Sequence, residues 1–444
     1  MYLLYSFALV LLFIVLSPYF VYQAMRYRKY VGSLPQRLGI LPMTLNLDGD
    51  ESIWLHAVSV GEVLTARALV GELRERYPRL RLFLSTTTMT GQQVARSNLQ
   101  HVDAVFFLPF DLPFIVRRTL GIVRPRLFII METELWPNLL RACRERGVRT
   151  ILVNGRISSR SYPRYRLARP FFRRVLSDLD LACMQSDESA RRLIDVGIDP
   201  GKVVMTGSLK FDSLETPGAM GGRGRQRVLR YFRIRDDRPV VIAASTLKGE
   251  EGPVLTAFRR VKRTRPDALL ILAPRKPERF TEVAELVAGE GFSVVRRTQL
   301  PVDAEPRADV VILDTFGELA ALFHVATAVF VGGSLVDAGG HNILEPAVFG
   351  KAILFGPHMQ NFAEIARTFL DNGAAEQVAS EADLADALVG LLNDPVRRAR
   401  LGAAARALVE ANRGAKQRTL DAIARVFPYG ARTDAVVRPF RLVH

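Results

Sequence analysis

Cysteine is nearly absent: 444 residues hold only Cys143 and Cys183, each inside an apolar run and without CxxC spacing. That excludes a disulfide framework or a thiolate metal site and suits buried thiols in a reducing compartment. Histidine is almost as sparse, six scattered residues with no HExxH pattern and no His/Cys ligand cluster. No protein-held metal or other cofactor is expected. The chain also lacks low-complexity tracts and repeats at solenoid periods. Acidic residues are in deficit, 45 Asp and Glu against 61 Lys and Arg, a net charge of +16. The excess favours a polyanionic partner such as nucleic acid, anionic lipid or a phosphorylated substrate. No helix-turn-helix, RRM or zinc-finger pattern occurs and the positive charge is dispersed. A non-enzymatic nucleic-acid binder is therefore the weaker reading, and no nucleic-acid partner is expected.

Charge of either sign is missing from the first 25 residues, MYLLYSFALVLLFIVLSPYFVYQAM. An apolar stretch of this length can cross about 30 Å of hydrocarbon as a helix. A cleaved signal peptide would need a basic start and a small-residue cleavage site, and neither is there. Residues 1–25 are expected to be a single transmembrane anchor, with residues 26–50 as a linker. Arg26, Arg28, Lys29 and Arg37 follow the apolar stretch. They place the remainder on the cytoplasmic side and would hold it against anionic lipid.

Beyond the linker, short aliphatic or β-branched runs alternate with amphipathic stretches. The strand candidates are residues 52–58, 81–88, 104–109, 127–131, 150–155 and 179–185, then 239–245, 268–274, 292–297, 309–314, 327–333 and 352–357. Between the first two lies a helical stretch, Val63–Tyr77, with Leu64, Leu69 and Leu73 on its apolar face. This alternation implies an α/β fold with mostly parallel sheets. The pattern breaks at the Gly- and Arg-rich residues 215–238, which read as an interdomain linker. Two Rossmann-like domains follow from this, residues 51–214 and 239–444.

In such sheets ligands bind beyond the carboxyl ends of the strands. Four loops of the second domain are rich in small, hydroxyl or basic residues ahead of a helix start: STLKGEEGP, PRKPERF, TFGEL and GGSLVDAGGHNILEP. Free N–H groups and helix dipoles there suit an anionic nucleotide. Asn342 and Glu345, three apart before Pro346, also match a capping box, so a well-capped helix remains an alternative reading. In the functional reading Asn342 faces a phosphate and Glu345 takes two ribose hydroxyls.

The first domain places carboxylates in the corresponding loops: Glu62 at a first helical turn, and Glu132 and Glu134 after a strand. They could serve as a general base toward a hydroxyl, with Glu62 kept ionised near neutral pH by its helix N-terminus, or Glu62 could simply complement its helix dipole. Lys210, in TGSLKFD, could steady a departing anion or be a solvated lysine. Residues 154–174 carry Arg156, Arg160, Arg164, Arg166, Arg169, Arg173 and Arg174 among aromatics, which suits lipid head groups or a phosphorylated lipid.

Taken in order, SVGE, METELWPN, TGSLKFD, PRKPERF and GGSLVDAGGHNILEP resemble the motifs of the transferases of 3-deoxy-D-manno-octulosonic acid (Kdo). The likeness runs through nearly the whole chain after the apolar N-terminus. It implies a GT-B glycosyltransferase of lipopolysaccharide synthesis, with an acceptor domain first and a CMP-sugar domain second. The donor would be CMP-Kdo and the acceptor a hydroxyl of the lipid A precursor. It also implies Glu62 as the base, Glu132 and Lys210 as transition-state partners, and Pro274, Arg275, Phe316, Gly317, Glu318, Asn342, Ile343, Leu344 and Glu345 as the CMP-contacting set. Lys276 and Lys248 stand where the family usually has histidine; both keep a donor and add a charge. A related GT-B transferase or epimerase using a UDP-sugar is the alternative of the same fold. How many Kdo units are added does not follow from the sequence.

Overall fold

The computed structural model describes residues 1–27, 31–99, 101–214, 226, 228–235 and 237–429. The chain forms two compact units, Met1–Ser213 with Arg413–His444, and Leu214–Asn412.

The first unit is built on seven strands: β1 (Ser52–His56), β2 (Arg81–Thr86), β3 (Ala104–Phe107), β4 (Pro125–Met131), β5 (Arg149–Gly155), β6 (Leu181–Met184) and β7 (Val203–Met205). They lie in the order β3-β2-β1-β4-β5-β6-β7 and every pairing is parallel. Side chains alternate across a strand, so Ile53 and Leu55 enter one core layer while Trp54 enters the other with Phe83, Phe106 and Phe128. Burial on both faces is why these strands read as continuous apolar runs. The helix after β1, Val60–Arg76, buries Val63, Ala66, Leu69, Val70 and Leu73. Leu64, expected on that face, is 42% exposed; the apolar stripe runs one residue to its side.

The helix Ala415–Val426 belongs to this first unit, which corrects the expectation that the second domain runs to residue 444. Ala415, Leu420, Ile423 and Phe427 fill the core layer of Ile53 and Leu55. Asp212 fastens the helix start, accepting from the backbone N–H of Gly414 at 2.9 Å and of Lys416 at 2.7 Å. Lys416 pairs with Glu72 at 2.8 Å.

Two linker assignments also need correction. Within residues 26–50, Leu41 is buried, Gln36 accepts from the Phe107 N–H, and Arg37 donates to the Thr87 carbonyl and covers the Phe107 ring. Residues 33–50 are folded onto the unit, and Arg37 serves it there. In the 215–238 stretch, residues 215–225, 227 and 236 lie outside the described residues. Val228 and Phe232 are buried, the Arg230 carbonyl between them accepts from the Asp303 N–H at 2.7 Å, and Arg297 covers the Tyr231 ring, so this part is folded onto the second unit.

The N-terminal helix, Tyr2–Tyr27, starts against the first unit. Tyr2 donates to Asp178 at 2.6 Å, Tyr5 to Asp111 at 3.0 Å, and Phe13 meets Phe110 edge-on with centroids 4.4 Å apart. Among the described residues no helix is long and apolar enough to cross a membrane, so the single-span assignment has no support. Its first turns are instead bonded to carboxylates of the first unit, Asp178 and Asp111.

The second unit repeats the architecture with β8 (Val240–Thr246), β9 (Leu269–Pro274), β10 (Val294–Arg296), β11 (Val310–Ile312), β12 (Ala328–Val331), β13 (Ala352–Phe355) and β14 (Glu376–Gln377). Their order is β10-β11-β9-β8-β12-β13-β14, again all parallel. Both units are thus Rossmann-like, as the alternation implied. The short edge strands β7 and β14 had no counterpart among the sequence candidates.

Candidate active site

In the first unit β1 ends at His56, Ser59 stands at the N-cap position of the next helix without a side-chain cap bond, and Glu62 is the third residue of that helix. Its carboxylate turns back toward the strand end, accepting from the Val58 N–H at 2.8 Å and from the Ser59 hydroxyl at 3.3 Å. The residue is only 8% exposed. Burial pushes the Glu62 carboxyl up to about 8, with Glu132 and Glu134 adding to the rise; the bonds from Val58 and Ser59 pull the other way and lose. This overturns the expectation that a helix N-terminus keeps Glu62 ionised at neutral pH. Desolvation outweighs the dipole.

Glu132 follows β4 directly and has a left-handed backbone, φ +55°. A side chain other than glycine is strained there, at an estimated cost of about 1–3 kcal/mol, and such positions cluster at functional sites. Its N–H is held by the Val153 carbonyl at 2.9 Å. Lys210 sits in the short helical turn Leu209–Phe211, whose first N–H donates to Asn154 Oδ1 at 3.0 Å. Lys210 Nζ lies 3.9 Å from Glu132 Oε1, a loose ion pair. Burial, and then Glu132, raises the Glu134 carboxyl as well. The three residues expected to carry chemistry in this unit, Glu62, Glu132 and Lys210, therefore share one electrostatic neighbourhood: a protonatable acid, a strained carboxylate and a cation.

The second unit sets its candidates after β8, β9, β11 and β12. Pro274 closes β9, and the Arg275 N–H donates to the Thr246 carbonyl at 2.9 Å. Phe316 is 72% exposed, beside Gly317 at φ +78°. Glu318 accepts from Arg297 at 2.7 Å and from Thr315 at 2.6 Å. Asn342 Oδ1 accepts from the Leu344 N–H at 3.1 Å while its amide donates to Glu345 at 3.2 Å. Asn342 and Glu345 are thus bonded to each other, and the cap is made by Asn342 to the second residue along. Ile343 and Leu344 are buried, so only their backbone groups can meet a ligand. Lys248 and Lys276 are both exposed.

Two residues outside the expected set govern this region. Glu250, fully buried, accepts from the backbone N–H of Leu247 at 2.9 Å, Gly333 at 2.6 Å, Ser334 at 2.9 Å and Leu335 at 2.9 Å. The glycine-rich loop after β12 therefore spends these donors on the protein's own carboxylate. His341 is held neutral, pushed down to about 4 by burial and then by the charge of Arg275. The sequence offered one signal for Glu250, two adjacent acids at a helix start, one of which had to be buried or solvated.

A family model described as "3-Deoxy-D-manno-octulosonic-acid transferase (kdotransferase)" matches residues 32–213. A 3-deoxy-D-manno-octulosonic acid transferase of Haemophilus influenzae is 37% identical over 372 residues, covering 84% of this chain and 86% of its own. The chain belongs to the Kdo transferase family. The Kdo transferase of Bordetella pertussis is 36% identical over 383 residues, with 84% and 86% covered. The protein is accordingly a glycosyltransferase, as the motifs implied. Among solved structures, the UDP-GlcNAc 2-epimerase of Neisseria meningitidis bound to UDP-GlcNAc superposes with a TM-score of 0.59 at 12% identity, covering 84% of this Kdo transferase and all of that chain. That likeness is one of fold and agrees with the GT-B architecture.

Proposed function

We propose that this Kdo transferase moves Kdo from CMP-Kdo to a hydroxyl of the lipid A precursor, inverting the anomeric centre, with Glu62 as base. The observation that carries this reading is the Glu62 carboxyl, desolvated at the end of β1 beside Glu132 and Glu134. An alcohol is a poor nucleophile until its proton is taken. The acceptor oxygen bonds to the anomeric carbon, its proton passes to Glu62, and the sugar–phosphate bond breaks with its electron pair leaving on CMP. That leaving group is already a stable anion, so one base suffices. A raised basicity makes Glu62 a stronger acceptor of the proton, at the cost of being only about one-tenth ionised at pH 7. Lys210 and Glu132 are assigned to steadying charge in the transition state.

The donor's CMP is assigned to the second unit, to Pro274, Arg275, Phe316, Gly317, Glu318 and the Asn342–Glu345 turn. The scheme gives no role to a metal, and chelator should leave turnover unchanged. Attachment to the cytoplasmic face of the inner membrane is assigned to the N-terminal helix and its neighbours. Leu3, Leu4, Phe7, Leu11, Leu12, Ile14 and Val15 are exposed on that helix. Phe171 packs on Tyr2 and Tyr5, and Arg164, Arg166, Arg169, Arg173 and Arg174 are exposed around it. An apolar surface beside a cationic one suits an anionic bilayer surface.

Competition of CMP against UDP for the full chain tests the donor. Preferential displacement by UDP would return the reading to a UDP-sugar enzyme. The mass and anomeric configuration of the product, after exhaustive reaction with CMP-Kdo and lipid A precursor, test the acceptor and the inversion. The same mass counts the Kdo units added.

A further inference from the structure

A cavity of about 410 Å³ opens in the second unit, among residues preceding or starting β8, β12 and β13. Its lining includes Arg235, Arg238, His324, Thr327, Lys351 and Arg398. In a parallel sheet the amino ends of the strands lie at the opposite edge from the carboxyl ends. Strands of four to seven residues therefore put this cavity roughly 13–23 Å from the loops assigned to the donor. The cavity is a separate place in the unit.

Its chemistry is one-signed. Of the four cations, Arg238 is matched by Glu305 at 3.1 Å, and Arg235 approaches Asp237 at 3.7 Å and Glu305 at 3.8 Å. Among the described residues no carboxylate lies within ion-pairing distance of Lys351 or Arg398. Neither cation is free to swing away. Lys351 Nζ donates to the His324 carbonyl at 2.9 Å, and Arg398 donates to the Leu391 carbonyl at 2.8 Å. Burial and then the Arg398 charge lower the Lys351 ammonium from its ordinary value, the mark of a cation short of counter-charge. Four basic groups around a hollow of ligand size, two of them paired with Asp237 and Glu305 and the other two without a carboxylate, resemble a preformed receptor more than a solvated face.

We propose that this cavity is a second anion site, which takes a small phosphate or diphosphate group and is distinct from the donor site. Lys351, with its remaining N–H donors, and Arg398 would grip the phosphate oxygens, and Arg235 at the rim would draw them in. The group can belong to a free phosphorylated metabolite or to a lipid head group, since the recognised chemistry is the same.

The test uses the full chain in detergent, saturated with CMP so that the donor site is filled, and inorganic pyrophosphate as probe. Unfolding temperature is followed against pyrophosphate, with sodium chloride of equal ionic strength as the control. The expected result is a saturable rise of about 2 °C or more in the wild type, absent in Lys351→Gln, with CMP affinity equal in both. Arg235→Gln, at the exposed rim, should weaken the pyrophosphate response several-fold and guards against a folding defect in the first variant. No rise beyond the salt control, or an equal rise in wild type and both variants, would overturn the proposal. Sedimentation with phosphatidylglycerol vesicles separates the sources. A preference for phosphatidylglycerol over phosphatidylcholine vesicles that is reduced in Lys351→Gln identifies a head group, and an unchanged preference beside a lost pyrophosphate response identifies a free phosphate.

Discussion

Glu62 follows β1, the strand between β2 and β4, while Glu250 follows β8, the strand between β9 and β12. The two stand after the first strand of their units, a central strand in each sheet, one residue type at each helix start, both buried. Their surroundings differ in donors. Glu250 is met by four backbone N–H groups from its own loop and from the loop after β12. Glu62 has one backbone N–H and one hydroxyl, with Glu132 and Glu134 close enough to oppose its charge. A carboxylate answered by donors holds a loop in shape. One left short of them keeps its proton near neutral pH and has basicity to spare for a substrate. The difference teaches that position in the fold selects a candidate, and hydrogen-bond supply decides whether it does structural or chemical work.

The sharpest way to break the comparison is to remove the charge at each point. Glu62→Gln should fold, bind CMP as wild type does, and lose at least about 10²-fold in transfer. Near-normal turnover, or a product of retained configuration, would leave Glu62 as a helix cap and turn attention to Glu132. Glu250→Gln faces its amide hydrogens against N–H groups that had a carboxylate. We expect a loss of roughly 2–3 kcal/mol in unfolding free energy, read from denaturant titration. If instead it unfolds like wild type, the four bonds do not hold the loop.

The pH dependence of kcat/KM should come next in size. With Glu62 raised to about 8, the ionised base becomes more abundant as pH rises, so the rate should climb up to tenfold per unit below that value and level above it. In Glu62→Gln this limb should vanish. A wild-type profile flat from pH 6 to 8 would mean the base is already ionised. Lys210→Met, which removes the cation beside Glu132, should cost about tenfold in kcat with little change in CMP affinity.

The smallest effect concerns stability. For an acid raised in the folded state, the unfolded chain ionises first, so stability falls as pH rises from about 4.5 through about 8. Glu62→Gln lacks this loss. Its unfolding free energy should therefore gain on wild type across that window, by about 1 kcal/mol or more at pH 8. A constant difference between the two proteins from pH 5 to 8 would contradict the raised value.

Much of this was legible in the sequence, for identifiable reasons. Strands buried on both faces leave unbroken apolar runs, so all twelve strand candidates correspond to strands, while β7 and β14, short edge strands with no buried residue, leave no such run. Val228 and Phe232 were hidden inside a Gly- and Arg-rich stretch whose composition reads as a linker. Glu62, Glu132 and Lys210 could be selected by their place after strands. The state of Glu62 could not, because its protonation depends on burial and on Glu132 and Glu134, which reach it through the fold. Nor could the sequence show that Asn342 would bind Glu345, or that the loop donors of Gly333 and Ser334 would be taken by Glu250.

The helix Ala415–Val426 has a consequence for the order in which the molecule is made. A ribosome releases β1 through β7, then all of the second unit, and only afterwards the residues that close the first unit's core. Until Leu420, Ile423 and Phe427 arrive, the core layer they share is open over β5, β6 and the helix Val60–Arg76, and the nascent first unit is an unfinished shell. The unit begun first is completed last, so the cell must shelter that exposed apolar seam for the whole time the second unit is being translated.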